Sequence, residues 1–195
     1  MWDERYAEAG FVYGTEPNAF LRQVMARLPV GRALSLAEGE GRNAVFMAEH
    51  GFEVTAVDGS AVGLAKAQQL AQERGVSIRT EVADLADYAI EPESYQVITS
   101  IYAHLLPEAH AKILHAACQG LSTGGMLLLV QYHPDQLKFG TGGPREIERL
   151  PDMEQLQAAC HGIEWLIAEH VEIDVQEGAR HSGMSSVIHL LGLKQ

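Results

Sequence analysis

The chain has 195 residues and a formal net charge of −12 at pH 7, and 47% of its residues are hydrophobic. This length and composition are typical of one globular domain and exclude a disordered or fibrous chain. The excess of acidic residues repels phosphate groups, so we expect the chain to bind no nucleic acid.

The sequence contains no segment that would direct or anchor the chain at a membrane. Apolar runs such as Met126–Val130 are far too short to cross a bilayer, and Met1–Arg5 lacks the basic and apolar regions of a secretion signal. The two cysteines, Cys118 and Cys160, lie in segments with a helical pattern and are expected to be buried thiols. These features predict a cytoplasmic protein without a membrane partner.

Helix-like and strand-like segments alternate along most of the chain. A first helix is predicted over Pro17–Arg27, ahead of the first strand. Five strands are then predicted at Arg32–Ala37, Glu53–Val57, Val76–Val82, Tyr95–Ile101 and Met126–Tyr132. The helices between them are predicted at Arg42–His50, from the Ser60 cap to Arg74, and from Pro107 to Leu121. This alternation predicts right-handed crossovers and a parallel sheet.

The C-terminal region has a different pattern. A helix capped by Asp152 is predicted to run to Cys160, and two strands follow at Glu164–Val175 and Met184–Leu193. The connection between these strands, Gln176–Gly183, is too short for a parallel crossover but long enough for a hairpin. We therefore expect the parallel sheet to end in an antiparallel pair.

A glycine-rich loop follows the first predicted strand. Gly39, Gly41 and Ala44 fit the spacing G-x-G-x-x-A of nucleotide-binding loops, and Asp58 ends the next strand nineteen residues after Gly39. Glycines let the backbone approach a ligand, and an acid at this distance can accept hydrogen bonds from ribose hydroxyls. The alternative is a tight strand-to-helix turn that binds no ligand.

The charges in this loop bear on the kind of nucleotide it would bind. Glu38 and Glu40 flank Gly39 and would repel a pyrophosphate, whereas a cofactor with a positive group would be attracted. The charges therefore favour a cationic cofactor. A nicotinamide-dependent dehydrogenase would also usually carry a substrate domain after its nucleotide domain, and the length of this chain leaves too little room for one.

At these positions the chain resembles the class I S-adenosylmethionine-dependent methyltransferases. The resembling segments are Leu34–Gly41, Asp58, Asp84–Leu85, Tyr95–Ile98 with Ser100 and Ile101, and Leu121–Gly125. The resemblance implies an α/β, Rossmann-like sheet of seven mostly parallel strands with an antiparallel C-terminal hairpin and helices on both faces. It further implies one methyltransferase domain over residues 1–195, with residues 1–31 as a helical cap or lid.

The same resemblance implies S-adenosylmethionine as the cofactor and S-adenosylhomocysteine as its product. The residues expected to bind the cofactor are Glu38, Gly39, Glu40, Gly41, Asn43, Asp58, Gly59, Ser60, Asp84, Leu85, Ser100, Ile101, Tyr6 and Tyr13. The chain departs from the family pattern at Ser35, Ala37 and Gln96, where the family usually has an acid, a glycine and an acid. Because the first of these acids normally holds the amino end of the cofactor, either Glu38 or Glu40 could replace it.

Three further segments resemble one small bacterial branch of this superfamily. They are Trp2–Tyr6, Tyr13–Asn18 and Arg42–Asn43, and the branch is similar to the tellurite-resistance methyltransferases and, more distantly, to the thiopurine methyltransferases. This resemblance implies a small acceptor with a soft nucleophilic atom, such as tellurite, a selenium compound or a thiol.

Candidate catalytic side chains follow strands whose carboxyl ends meet at one edge of the sheet. His104 follows the fourth strand, His133 follows the fifth, and Arg180 and His181 lie in the final hairpin. Histidine can accept a hydrogen bond or a proton, and arginine, including Arg145, can bind an anionic acceptor. Each could instead be an ordinary surface group. The histidines expected to be structural are His50, His110, His115, His161 and His170.

The N-terminal aromatic residues allow two interpretations. Tyr6 and Tyr13 are expected to fold over the cofactor as a lid, whereas Trp2 is expected to pack on the sheet. No histidine and cysteine have the spacing of zinc ligands, so we expect no metal.

Two alternatives to a methyltransferase remain at this point. One is an oxidoreductase that binds NAD or NADP, and the other is a non-catalytic domain that binds the cofactor. The acidic balance predicts a monomer or a weak homodimer whose partner is a small-molecule substrate.

Overall fold

The computed structural model describes residues 2–178 and 181–195, which form a central β-sheet flanked by helices. The strands are β1 Arg32–Leu36, β2 Glu53–Asp58, β3 Arg79–Val82, β4 Tyr95–Ile101, β5 Leu121–Tyr132, β6 Ile163–Gln176 and β7 Ser182–Lys194. The helices are α1 Trp2–Tyr6, α2 Ala19–Val24, α3 Arg42–Glu49, α4 Ala61–Glu73, α5 Pro107–Gly120 and α6 Met153–Ala159. Short 3₁₀ turns lie at Met25–Arg27, Pro134–Lys138 and Ile147–Arg149.

The seven strands form one sheet with the order β3-β2-β1-β4-β5-β7-β6. Strands β1 to β5 pair in parallel, and β7 is antiparallel to both β5 and β6. The structure therefore confirms the predicted mixed sheet with a C-terminal hairpin. In register, Leu36 at the end of β1 lies between Val57 of β2 and Ser100 of β4, so the carboxyl ends of these strands meet at one edge.

Helices cover both faces of the sheet because successive strand residues point to opposite sides. Ala33 and Val97 pack with helices α2, α3 and α4, whereas Leu34 and Ile98 pack with α5 and α6. The strands are apolar on both sides for this reason, as buried parallel strands are. Cys118 and Cys160 are free and buried in the layer formed by α5 and α6.

Some element boundaries differ from the predictions. Helix α2 begins at Ala19 because the Asn18 side chain caps it, accepting hydrogen bonds from the backbone N–H groups of Phe20 and Leu21. Strand β3 is shorter than predicted, since residues 76–78 lie outside it, and β5 already begins at Leu121. None of the helices in residues 2–178 and 181–195 combines the length and apolar character needed to cross a bilayer.

Candidate functional site

The loop between β1 and α3 turns sharply at positions that require glycine. Gly39 and Gly41 have φ values of 64° and 94°, in the left-handed region that favours glycine. A Cβ on Gly41 would lie 2.6 Å from the Cα of Ala67 in α4, and a Cβ on Gly39 would lie 2.6 Å from the Tyr6 hydroxyl. The loop is therefore pressed between α4 and the N-terminal segment, which leave no space for a side chain at either glycine.

Asp58 at the end of β2 is held beside this loop. Its carboxylate accepts hydrogen bonds from the backbone N–H of Gly39 at 2.9 Å and of Ser60 at 2.8 Å. Burial raises the pKa of the Asp58 carboxyl, and the two backbone hydrogen bonds act in the opposite direction. Each carboxylate oxygen keeps lone pairs for further donors such as hydroxyl groups.

Glu38 is buried at the N-terminus of α3, directly after β1. Its carboxylate accepts hydrogen bonds from the backbone N–H groups of Asn43 and Ala44, both at 3.0 Å, and from the Ser35 hydroxyl. Burial raises the pKa of the Glu38 carboxyl, and these hydrogen bonds oppose the rise. The hydrogen bond with Ser35 places the Glu38 carboxylate next to that strand position. The family pattern has an acid there, whereas this chain has Ser35.

Glu40 has a different set of partners. One carboxylate oxygen accepts a hydrogen bond from the backbone N–H of Val12 at 2.8 Å, and the other lies 2.9 Å from the Lys66 ammonium. Both oxygens therefore fasten the N-terminal segment and α4 to the loop. Of the two glutamates that could replace the missing strand-one acid, Glu38 has the matching position.

The N-terminal aromatics lie on the glycine loop rather than on the sheet. Tyr6 is buried against Gly39 and Gly63, and its ring centroid lies 6.2 Å from that of Tyr13. The expectation that Trp2 packs on the sheet is wrong, because its side chain is 43% exposed and stacks on Tyr6 instead. The reason is that α1 has only five residues and ends on the loop, so the sheet lies beyond its reach.

The other predicted cofactor residues lie around the same sheet edge. Ser60 caps α4 and is buried, Gly59 is exposed, and Asp84 and Leu85 follow β3 with Asp84 exposed and Leu85 buried. The backbone N–H of Ala83 donates to the Asp58 carbonyl at 3.0 Å, which joins this segment to the end of β2. The remaining two residues end β4 and are buried: Ser100 and Ile101.

A cavity of about 780 Å³ opens beside the loop. It is bounded by the N-terminal segment, the loop after β1, the end of β4, residues 140–144 and the start of β7. The predicted residues that line it are Tyr6, Tyr13, Glu38, Glu40, Asn43, Ile101, His104 and His181. The structure thus brings six cofactor candidates and two of the catalytic candidates to one cavity. The other eight cofactor candidates do not line it: Gly39, Gly41, Asp58, Gly59, Ser60, Asp84, Leu85 and Ser100.

His104 and His181 line this cavity within an aromatic cluster, in which the His181 ring centroid also lies 4.6 Å from that of Tyr13. The Tyr102 ring centroid lies 4.9 Å from that of His181 and 4.6 Å from that of Tyr132, which is stacked on His104 at 5.6 Å. Burial lowers the pKa of both histidines to about 3, and nearby positive charge adds to the effect at His181. Both side chains are therefore neutral at physiological pH.

Two of the predicted catalytic or anion-binding residues that the structure describes do not line the cavity. His133 lies outside the cavity lining, because the chain turns away into a 3₁₀ turn after β5, and Arg145 is exposed outside the lining as well. Arg180 lies outside the described residues. Instead, Arg42 and Arg149 line the cavity. The sequence offered a signal for Arg42 only, in the Arg-Asn pair after the loop.

His133 belongs to a separate surface group with Asp135 and His170. The two imidazole rings are stacked with centroids 3.8 Å apart, and Asp135 lies 3.5 Å from His133 Nδ1 and 2.7 Å from the Lys138 ammonium. Within residues 2–178 and 181–195, this is the one group with the side chains and spacing of a metal site. His170 was expected to be structural, as were four other histidines, and none of the five lines the cavity.

We expect chelation to leave the activity of this cavity unchanged, because the group of His133, Asp135 and His170 does not line it. The measurement is turnover before and after treatment with a strong chelator, with the His170→Ala variant as a second probe of the same group. Full loss on chelation that zinc or magnesium restores would contradict this expectation.

Comparisons with known proteins give one matching family model and a set of similar folds. A family model described as "Methyltransferase domain" matches residues 33–125. The fold is similar to that of TehB from Haemophilus influenzae (17% identity, covering 100% of this chain and 66% of that one, TM-score 0.76). It is also similar to an S-adenosylmethionine-dependent methyltransferase from Mesorhizobium loti (20% identity, 93% and 100% coverage, TM-score 0.72).

A third similar fold is that of the N-methyltransferase NodS from Bradyrhizobium japonicum (14% identity, 98% and 94% coverage, TM-score 0.69). No curated protein sequence matches the chain significantly. At these identities the solved structures support the fold, and the matched family covers the segment from β1 to the first part of β5.

Proposed function

We propose that this chain is a class I S-adenosylmethionine-dependent methyltransferase, and that it transfers the methyl group to a small acceptor whose attacking atom needs no strong base. The observation that carries the proposal is the pair of buried histidines in the cavity. With pKa values of about 3, His104 and His181 are weak bases that would remove a proton poorly from a hydroxyl or ammonium group. A thiol in its thiolate form, a selenium compound or tellurite has an attacking atom that is nucleophilic without such help.

The residues at the loop fit the cofactor. The glycine loop follows β1 beside Asp58, whose carboxylate keeps lone pairs for the ribose hydroxyls. The buried carboxylate of Glu38 lies between this loop and the cavity, where it would hold the amino end of the cofactor. Tyr6 and Tyr13 would cover the cofactor from the N-terminal side.

When bound, S-adenosylmethionine supplies a methyl group whose bond to sulfur breaks as the acceptor's lone pair forms the new bond to carbon, which leaves neutral S-adenosylhomocysteine. The residues of the chain align the acceptor and exclude water. Alignment of this kind can contribute roughly 7 to 11 kcal/mol to lowering a barrier. Tyr102 lines the cavity, and the face of an aromatic ring favours a cationic centre such as a sulfonium.

The segments that resemble the tellurite-resistance branch support the same acceptor class. One of them, Arg42–Asn43, stands at the cavity, where both residues line its wall. The fold itself does not choose the acceptor, since the similar fold of NodS belongs to an N-methyltransferase.

The test is turnover of S-adenosylmethionine labelled in its methyl group against a panel of acceptors. Selenite, tellurite and an aliphatic thiol form one arm, and an alcohol and an amine of similar size form the other. We expect methylated product in the first arm only. Product from the alcohol or the amine alone, or no product in either arm with S-adenosylhomocysteine bound, would contradict the proposal.

The His181→Ala variant is expected to lower turnover or acceptor affinity and to leave cofactor affinity within about twofold, which is under roughly 0.4 kcal/mol. The reason is that His181 belongs to the aromatic cluster with Tyr102 and Tyr132, whereas Asp58 and the backbone of Gly39, which are proposed to bind the cofactor, lie outside that cluster. The measurements are steady-state kinetics and calorimetric titration with S-adenosylhomocysteine. A tenfold loss of cofactor binding in a folded variant would mean that the hairpin reaches across the cofactor.

A further inference from the structure

Arg42 is a buried cation at the cavity wall. It is the first residue of α3, its residue exposure is 7%, and it lines the cavity. Its Nη2 atom lies 2.5 Å from a carboxylate oxygen of Glu177, and this pair is buried on both sides. Its Nη1 atom is also buried but has no hydrogen-bond partner among residues 2–178 and 181–195.

An unpartnered donor on a buried guanidinium is costly. Buried polar groups in proteins nearly always find a partner, and the penalty for an unpaired one is larger when the group is charged. A guanidinium presents its donors as a fork, so one arm can be fixed by a protein carboxylate while the other receives a ligand. Arg42 has this division, with Nη2 on Glu177 and Nη1 left over.

Glu177, which pairs with the guanidinium, is itself held by hydrogen bonds from the start of α2. One of its carboxylate oxygens accepts a hydrogen bond from the Asn18 side-chain amide at 2.7 Å and from the backbone N–H of Ala19 at 3.4 Å. Asn18 in turn donates its backbone N–H to the Asn43 side chain at 2.9 Å. Arg42 is thus oriented by contacts with the start of α2 and with the hairpin between β6 and β7.

Arg42 lies near His181, one of the catalytic candidates that line the cavity. Arg42 lies close enough to His181 for its charge to lower the pKa of that histidine, and His181 Nδ1 also has no partner in the described part of the chain. Two further arginines line the cavity, Arg5 and Arg149. Arg5 donates a hydrogen bond to the Tyr13 hydroxyl, and Arg149 donates one to the backbone carbonyl of His104, so both of these partners are neutral. The lining therefore holds three arginines beside three glutamates, Glu38, Glu40 and Glu146, and of these glutamates Glu40 already pairs with Lys66.

We propose that Arg42 is the anion-binding residue of the acceptor site, and that the site takes a small molecule with a negatively charged oxygen next to its methyl-accepting atom. The proposal rests on the proposed function and adds the charge of the acceptor to it. Nη1 of Arg42 donates to that oxygen, and Glu177 positions the guanidinium. The cofactor's own carboxylate is the other possible source of the same chemistry, so the test separates the two.

The decisive variant is Arg42→Lys. A lysine ammonium can keep the contact with Glu177, so that the buried carboxylate is not left alone, but it lacks the second nitrogen of the fork. The probe is selenite, titrated by calorimetry into protein saturated with S-adenosylhomocysteine, so that binding is read without turnover. We expect the variant to bind selenite at least tenfold more weakly while its dissociation constant for S-adenosylhomocysteine stays within twofold.

The matched control is Arg22→Lys, which makes the same change at an exposed arginine that pairs with Glu16 on the surface. It should bind selenite and S-adenosylhomocysteine as the unmodified protein does. Three results would overturn the inference: no selenite binding to the unmodified protein, equal selenite binding in the Arg42→Lys variant, or a tenfold loss of S-adenosylhomocysteine affinity with selenite binding intact. Selenite that binds through Arg42 but is not methylated would support the inference and count against selenite as the acceptor in the proposed function.

Discussion

Replacement of Asp58 by alanine is expected to weaken S-adenosylhomocysteine binding by at least about a hundredfold. Hydrogen bonds to a charged group contribute roughly 1.5 to 3 kcal/mol each, and the proposed role gives Asp58 two of them, to the ribose hydroxyls. Their joint loss is about 3 kcal/mol or more, and each 1.4 kcal/mol is roughly a factor of ten in affinity. The measurement is calorimetric titration of the folded variant.

Asp58 also accepts backbone hydrogen bonds from Gly39 and Ser60, so the alanine variant could disturb the loop as well. The Asp58→Asn variant separates these effects, because its amide oxygen can keep one backbone hydrogen bond while the negative charge is lost. Asp87→Asn is the matched control, since Asp87 is an exposed acid that pairs with Lys112. An unchanged dissociation constant in both Asp58 variants would refute the assignment of the ribose site.

The second large effect expected is a loss of stability in acid that comes from His104. Its folded-state pKa of about 3 lies below the ordinary value of 6.5, so the unfolded chain binds a proton at this histidine before the folded chain does. The contribution of neutral His104 to the free energy of unfolding is fully present above pH 6.5 and is lost as the pH falls from 6.5 towards 3. The free energy of unfolding then falls by up to about 1.4 kcal/mol per pH unit, so the loss at pH 5 is about 2 kcal/mol.

The measurement is the free energy of unfolding by urea at pH 7.5 and at pH 5. The His104→Phe variant keeps a ring that can stack on Tyr132 but has no group that titrates, so its stability should fall less between the two pH values. The difference between the two proteins isolates His104 from the carboxyl groups that also titrate in this range. Equal losses in both proteins would mean that His104 is not held neutral by burial.

The fold followed largely from local features of the sequence. Apolar strand-like runs alternating with capped helices predicted the parallel sheet, because that order forces crossover connections. The short link at Gln176–Gly183 predicted the antiparallel end, because no crossover fits into it. The glycine loop and Asp58 were also predictable, since their spacing places an acid at the end of the neighbouring strand.

The composition of the cavity was decided only by the tertiary structure. Arg42 and Glu177 are 135 residues apart, and their pairing depends on how the C-terminal hairpin packs against α2 and α3. His104 and His133 both follow strands that end at the same edge, yet the chain turns one towards the cavity and the other away from it. Local periodicity predicts where strands end, whereas the direction of a loop side chain depends on contacts between segments that are distant in sequence.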